Sequence, residues 1–186
     1  MHGYFKKLDV TFPEIDMSRI VGGSLVEGFP DFRTWNIRDL NYLNNLLSSI
    51  LKFKITPATI TYNEIAGGGT SPHSEHVLIQ TVLNFYIEPG KCSTLFWKLK
   101  NPSIESELLP RLDDTGNWSE SVVKVYTIDS LVCEASFIAN PNEAYILGVD
   151  KIHSVSKPIT TDVRKFIRLG WVGYNVEEIF NSIEIL

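Results

Sequence analysis

The sequence predicts a mainly β chain of the α+β class, an antiparallel sandwich or barrel with helices packed on an outer face. Three observations predict it. Stretches rich in Val, Ile, Thr, Tyr and Phe recur at a spacing of roughly 8–20 residues through the middle of the chain. Clusters of Gly, Pro, Asn and Asp separate them, and helical spacing is confined to the two ends.

In chain order, residues 1–54 form an amino-terminal helical and wrapping region. Within it, Asn36–Phe53 places Ile37, Leu40, Leu43, Leu47 and Ile50 on one helical stripe, with Leu46 and Leu51 beside it. Lys52 and Lys54 then suit the carboxyl end of that helix. Residues 55–172 form the β-core. Its expected strands are Ile55–Ile65, His76–Ile87, Ser93–Leu99, Ser121–Ile128, Leu131–Ile138, Ala144–Val149 and Val163–Val172. The turns between them include Gly67-Gly68-Gly69, Glu88-Pro89-Gly90, Asp113–Asn117, Ile128-Asp129-Ser130 and Asn140-Pro141-Asn142. Residues 173–186 close the chain with a helix: Asn175 and Glu178 have capping-box spacing, and Val176, Ile179, Phe180 and Ile183 form its apolar face. Without a repeat or a linker, 1–186 reads as one domain.

Composition narrows the function classes. With 186 residues, 44% hydrophobic, 11% aromatic and 21% charged, the chain can bury a sizeable core. No apolar run reaches the length of a membrane span, so no membrane partner is expected. The start, MHGYFKKLDVTFPEIDM, has two lysines but no apolar region behind them and does not read as a secretory signal. Seventeen basic residues against 22 acidic ones leave a charge of −5 and no basic face, so no nucleic-acid partner is expected. Cys92 and Cys133, flanked by apolar strand-like residues, are expected to be buried free thiols. Together these features predict a cytoplasmic protein, a compact stand-alone enzyme of bacterial or phage type. Rossmann and P-loop readings fail, because Gly67-Gly68-Gly69 lacks G-x-G-x-x-G spacing and Gly90-Lys91 lacks the Walker context.

The chain has four histidines: His2, His73, His76 and His153. In an extended segment residues two apart share a face, so His73 and Glu75 project together while His76 points away. His153 follows the strand Ala144–Val149. If it lies beside the strand begun at His73, two imidazoles and one carboxylate make a facial triad, the set used by non-haem Fe(II) oxygenases.

The order of motifs extends this reading. Tyr62, the glycine turn, His73-Ser74-Glu75, Leu83-Asn84-Phe85-Tyr86-Ile87, Pro89-Gly90, Ser93–Trp97, Asn140–Ala144, His153-Ser154-Val155 and Arg164 follow in sequence. This series resembles the 2-oxoglutarate/Fe(II)-dependent dioxygenases, closest to the prolyl-hydroxylase-like branch, over residues 58–172. The resemblance implies a double-stranded β-helix, a jelly-roll, cupin-like barrel with flanking helices. It implies that His73, Glu75 and His153 are the metal ligands and that Arg164 holds the distal carboxylate of 2-oxoglutarate. Tyr62 and Asn84 are implied as cosubstrate contacts. A planar guanidinium suits that carboxylate because it can pair bidentately. Arg168 shares the face of Arg164, and either can take the cosubstrate; the distance from His153 favours Arg164. The family's usual acidic ligand is aspartate, whereas this chain has Glu75.

The implied activity is hydroxylation of a peptidyl, prolyl-like or small-molecule substrate, with O2 consumed and succinate and CO2 released. Glu75 argues against halogenation, which dispenses with the carboxylate. Residues 101–117 read as a lid over the barrel mouth or an inert loop, and Trp97, Trp118 and Trp171 as pocket or core. Two rivals stand beside this reading. A cupin-type metalloenzyme normally has H-x-H where Glu75 stands, and a non-catalytic jelly-roll binding or structural protein would keep the barrel without turnover.

Overall fold

The fold is that of a computed structural model, which describes residues 3–19, 24–26, 29–36, 40–66, 69–75, 79–103, 107–108, 111–112, 118–119, 123–156 and 163–186. It is mainly β and antiparallel, with two α-helices among the described residues. The amino-terminal strands are β1 (Phe5–Leu8), β2 (Ser24–Val26) and β3 (Phe29–Asn36), followed by α1 (Leu40–Ser48) and β4 (Leu51–Phe53). Then come β5 (Thr59–Ala66), β6 (Thr70–Glu75), β7 (Thr81–Glu88) and β8 (Ser93–Leu99). Short strands β9 (Glu107–Leu108), β10 (Arg111–Leu112), β11 (Trp118–Ser119) and β12 (Val123–Val125) follow. The chain ends with β13 (Leu131–Ile138), β14 (Ala144–Gly148), β15 (His153–Val155), β16 (Val163–Trp171), α2 (Val176–Ser182) and β17 (Ile183–Ile185).

Two sheets carry the molecule. The larger has the order β1-β14-β7-β16-β5-β3-β2 and the smaller β13-β8-β15-β6-β12-β9. β4 pairs with β17, and β10 with β11, as separate two-stranded ribbons.

Alternation along the central strands sends side chains to two different cores. On β16, Ile167, Leu169 and Trp171 face a cluster that includes Phe12 and Phe85, Leu43 and Leu47 of α1, and Val176 and Ile179 of α2. Each of those three is at most 1% exposed, which contributes about 1.5–3 kcal/mol apiece. On the other face, Phe166 joins Val82, Tyr86, Phe96, Tyr145 and Leu147 between the two sheets. Helices cover one face of the large sheet and the small sheet covers the other, so its strands read as nearly continuous apolar runs.

The strands Ser93–Leu99 and Leu131–Ile138 have the bounds read from the sequence. Other expectations are corrected. The first helix stops at Ser48, where the hydroxyls of Ser48 and Ser49 donate back to the carbonyls of Asn44 and Leu46. Lys52 therefore lies on β4 rather than at a helix end. The amino-terminal region contributes strands to both edges of the large sheet, because β1 pairs with β14 and β3 with β5. The expected strand His76–Ile87 begins later, as β7 at Thr81, and the residues before it form a strand of their own, β6, which ends at Glu75. Cys92 is buried, but Cys133 is exposed, beside a bulge on the edge strand β13, and neither forms a disulfide. The closing capping box is present, with Glu178 N donating to Asn175 Oδ1 at 3.0 Å and Asn175 N to Glu178 Oε2 at 2.8 Å. Ile183, expected on that helix, begins β17.

Candidate functional site

Every side chain of the site is supplied by a strand, and strand alternation decides which ones arrive. β6 turns His73 and Glu75 inward and Ser74 outward, where its hydroxyl lies 3.3 Å from Tyr126 Oη. Antiparallel to β6 runs β15, with His153 opposite His73 in register. The two imidazole centroids are 4.3 Å apart at an interplanar angle of 51°. Gly69 makes that approach possible. Its φ is +67°, and a Cβ there would sit 2.4 Å from the Val155 carbonyl oxygen.

Backbone carbonyls fix both rings. His73 Nδ1 donates to Ser71 O at 2.7 Å and His153 Nδ1 to Lys151 O at 2.9 Å. A carbonyl only accepts, so Nδ1 bears the proton and Nε2 keeps the lone pair. That is the tautomer a metal-binding histidine needs, and outer-sphere carbonyls often set it. Burial is the main cause that pushes His73 down to about 4, with the nearby Arg168 cation adding to it against the Ser71 hydrogen bond. His153 falls well below its ordinary range, from burial first and then from the neighbouring His73. Both rings are therefore neutral at pH 7, in the state that donates to a cation.

β16 delivers Arg164, Phe166 and Arg168 to the same side. Arg164 is only 3% exposed. Its Nη2 donates to Thr94 Oγ1 at 2.8 Å, and the guanidinium carbon lies 4.6 Å from the centroid of Tyr86. Arg164 Nε and Nη1 are the only buried side-chain nitrogen or oxygen atoms among the described residues without a partner. A buried cation with two unfilled donors is costly, and a planar two-oxygen acceptor such as a carboxylate is the group that fills them. Arg168 is differently engaged, with Nη1 3.3 Å from Glu75 Oε1 and Nε donating to Asn84 Oδ1 at 3.2 Å. Burial pushes the Glu75 carboxyl up and Arg168 opposes that shift.

These groups line one cavity of about 130 Å³ between the sheets, whose wall also includes Ile65 from β5, Asn84 and Tyr86 from β7, Thr94 from β8 and Leu147 from β14. His73, Glu75, Asn84, His153 and Arg164, all anticipated from the sequence, meet there. Tyr62 does not. It sits in the core on the helix side of the large sheet, its hydroxyl donating to Glu64 Oε1 at 2.8 Å, so its expected cosubstrate contact is corrected. Trp97 is outside the cavity as well, with Nε1 donating to Ser154 Oγ at 2.8 Å, and Trp171 belongs to the helix-side core. His76 and the side chain of Trp118 lie outside the described residues.

Sequence reasoning missed Thr94, Tyr86 and Phe166. Alternation from Asn84 and from Arg164 would have found the last two, since each lies two residues along from a predicted site residue.

The residue types match the ligands that the resemblance implies for a divalent metal, two neutral imidazoles and one carboxylate, and the cavity also holds a guanidinium with two donors unfilled. The carboxylate is not gathered with the rings, however. Among the described residues no three His, Cys, Asp or Glu side chains are close enough together to hold a metal, and Glu75 pairs with Arg168 instead.

No protein-family model matches the chain, and no curated protein is similar to it. Among solved structures, the chain is similar to protein SO0799 from Shewanella oneidensis, at 7% identity and a TM-score of 0.29. The match covers 77% of this chain and 83% of that one.

Proposed function

We propose that this chain is a 2-oxoglutarate- and Fe(II)-dependent dioxygenase, a hydroxylase of a small-molecule or peptidyl substrate, on a double-stranded β-helix. Strand order supports the fold reading. Along β5, β6, β7 and β8 the chain alternates large, small, large, small sheet; β13, β14, β15 and β16 retrace this as small, large, small, large. A long hairpin folded over on itself into a jelly roll has that mirrored order. One observation carries the functional reading: two register-paired, neutral imidazoles share a cavity with a buried arginine that has two unfilled donors.

In this reading His73, Glu75 and His153 hold the metal, and Arg164 takes the distal carboxylate, with Thr94 beside it and Tyr86 under its guanidinium plane. Iron bound there with 2-oxoglutarate and O2 supplies the oxidation of a substrate C–H bond, succinate and CO2 being released. The protein's own contribution is positional. Ser71 and Lys151 keep each ring's Nδ1 protonated, burial keeps the rings uncharged, and the sheet walls shield the reacting groups from water.

Anaerobic addition of Fe(II) and then 2-oxoglutarate should give the weak visible charge-transfer band of the chelate. The band should be lost in His73→Ala and His153→Ala and kept in His76→Ala. With folded wild-type protein and excess iron, no band would overturn the oxygenase reading.

The Glu75–Arg168 pair favours a second reading, a sandwich that binds a small carboxylate without metal or turnover. There, affinity for 2-oxoglutarate would be the same with and without a divalent cation; in the oxygenase reading the cation raises it.

A further inference from the structure

The Glu75–Arg168 pair sits where the metal reading needs a ligand. Both side chains are about one-fifth exposed. The guanidinium has a second acceptor in Asn84 Oδ1, on a different strand, and can leave the carboxylate without losing every partner. Two residues before Glu75 on β6, and opposite on β15, the imidazoles of His73 and His153 are already adjacent and fixed by backbone carbonyls. Two of three candidate ligands are in place, and the third is occupied by a cation from β16.

We propose that Arg168 is a latch on Glu75: it keeps the carboxylate from the two imidazoles until an anionic ligand group takes the guanidinium. The latch rests on the metal reading above and adds to it a second anion position, Arg168 with Asn84, distinct from Arg164. The two arginines are four residues apart on β16, with Phe166 between them; their guanidinium carbons lie 5.9 Å and 5.5 Å from its ring centroid. Their partners differ, Thr94 for Arg164 and Glu75 with Asn84 for Arg168, so the two positions are distinct.

Electrostatics gives the direction of the effect. A fixed positive charge beside a cation site disfavours the cation, and at short range through protein the effect exceeds thermal energy. A carboxylate that engages Arg168 removes part of this repulsion and frees Glu75 at once. Anion and divalent cation then favour each other's binding, by equal factors in the two directions.

Titration with Co(II), followed by its visible absorption, tests this without turnover. Arg168→Gln should bind Co(II) about tenfold more tightly than wild type, the scale expected when one nearby charge is removed. Arg168→Met keeps the aliphatic stem and serves if the glutamine variant does not fold. Succinate, which lacks the 2-oxo group and cannot chelate as 2-oxoglutarate does, should tighten Co(II) binding to wild type severalfold and leave the neutral variants unchanged. Equal or weaker Co(II) binding in the neutral variants overturns the latch while the metal site stands. If wild type and variants all fail to bind Co(II), both the latch and the metal reading fall.

Discussion

Arg164 and Tyr62 show how much one position of strand parity decides. Both were marked by the same resemblance, both are fully inside the protein, and only Arg164 reaches the cavity. Tyr62 and Ile65 lie three apart on β5, so they face opposite sides: Tyr62 meets the helices and Ile65 lines the cavity. Sequence alone does not fix that parity, because both faces of the large sheet are covered and both demand apolar residues. At this scale Arg164→Ala should weaken 2-oxoglutarate binding by tenfold or more while Co(II) affinity is retained; a bidentate charged pair of about 1.5–3 kcal/mol is removed. Tyr62→Phe should leave both affinities unchanged. Calorimetric titration of the two variants checks the pair, and an effect of Tyr62→Phe equal to that of Arg164→Ala would contradict the placement.

Among the elements, the corner joining β13 to β14 is held by Glu143. Its carboxylate accepts from Asn140 N at 2.9 Å, Asn140 Nδ2 at 3.0 Å and Tyr145 Oη at 3.0 Å, and it pairs with Lys7. Asn142, at φ 66°, takes the left-handed turn position that an asparagine tolerates. Burial works to raise the Glu143 carboxyl, but the hydrogen bonds from Asn140, Lys7 and Tyr145 outweigh it and bring it from 4.5 down to about 2. A depressed folded-state value adds stability that is complete above pH ~4.5 and disappears as pH falls toward 2. Glu143→Gln should therefore lose about 2 kcal/mol at pH 7 and show a flatter loss of stability between pH 4.5 and 2. Urea unfolding of both proteins across that range measures it. This corner was legible in the sequence through Asn140-Pro141-Asn142, as were the strands on either side. β15 was not: three residues, His153–Val155, carry too little alternation to register as a strand. The amino-terminal strands were hidden for another reason, since the polar run with Pro30, Asp31 and Arg33 dilutes the pattern and pairing with β5 supplies what local preference does not.

For the whole molecule, the seven-stranded and six-stranded sheets enclose a cavity whose walls belong to both. His73 and His153 come from the small sheet, Arg164 and Arg168 from the large one. A ligand set that touches all four ties the sheets together and stabilises only the folded state. Mn(II) with 2-oxoglutarate, each at 100 times its dissociation constant, should stabilise wild type by several kcal/mol, about 2.7 kcal/mol for each site so filled. Thermal unfolding with and without the pair reads this out, and Arg164→Ala should lose the 2-oxoglutarate share alone. The β-rich class and the shared face of His73 and Glu75 were readable from spacing and turn chemistry, whereas Arg164 and Asn84 were marked only by the resemblance. The pairing of Glu75 with Arg168 was not, because residues 93 apart in the chain meet only through the sheet order.

The register of His73 against His153 also sets a calendar for the protein's life. A chain emerging from synthesis, and ended anywhere between residues 73 and 153, carries one of the two facing imidazoles and neither arginine. Such a chain has no half-formed centre for a metal or an acid to nucleate, since the long-range pairing of β15 and β16 must close first. In the proposed reading, loading is thus a step that follows folding and does not guide it.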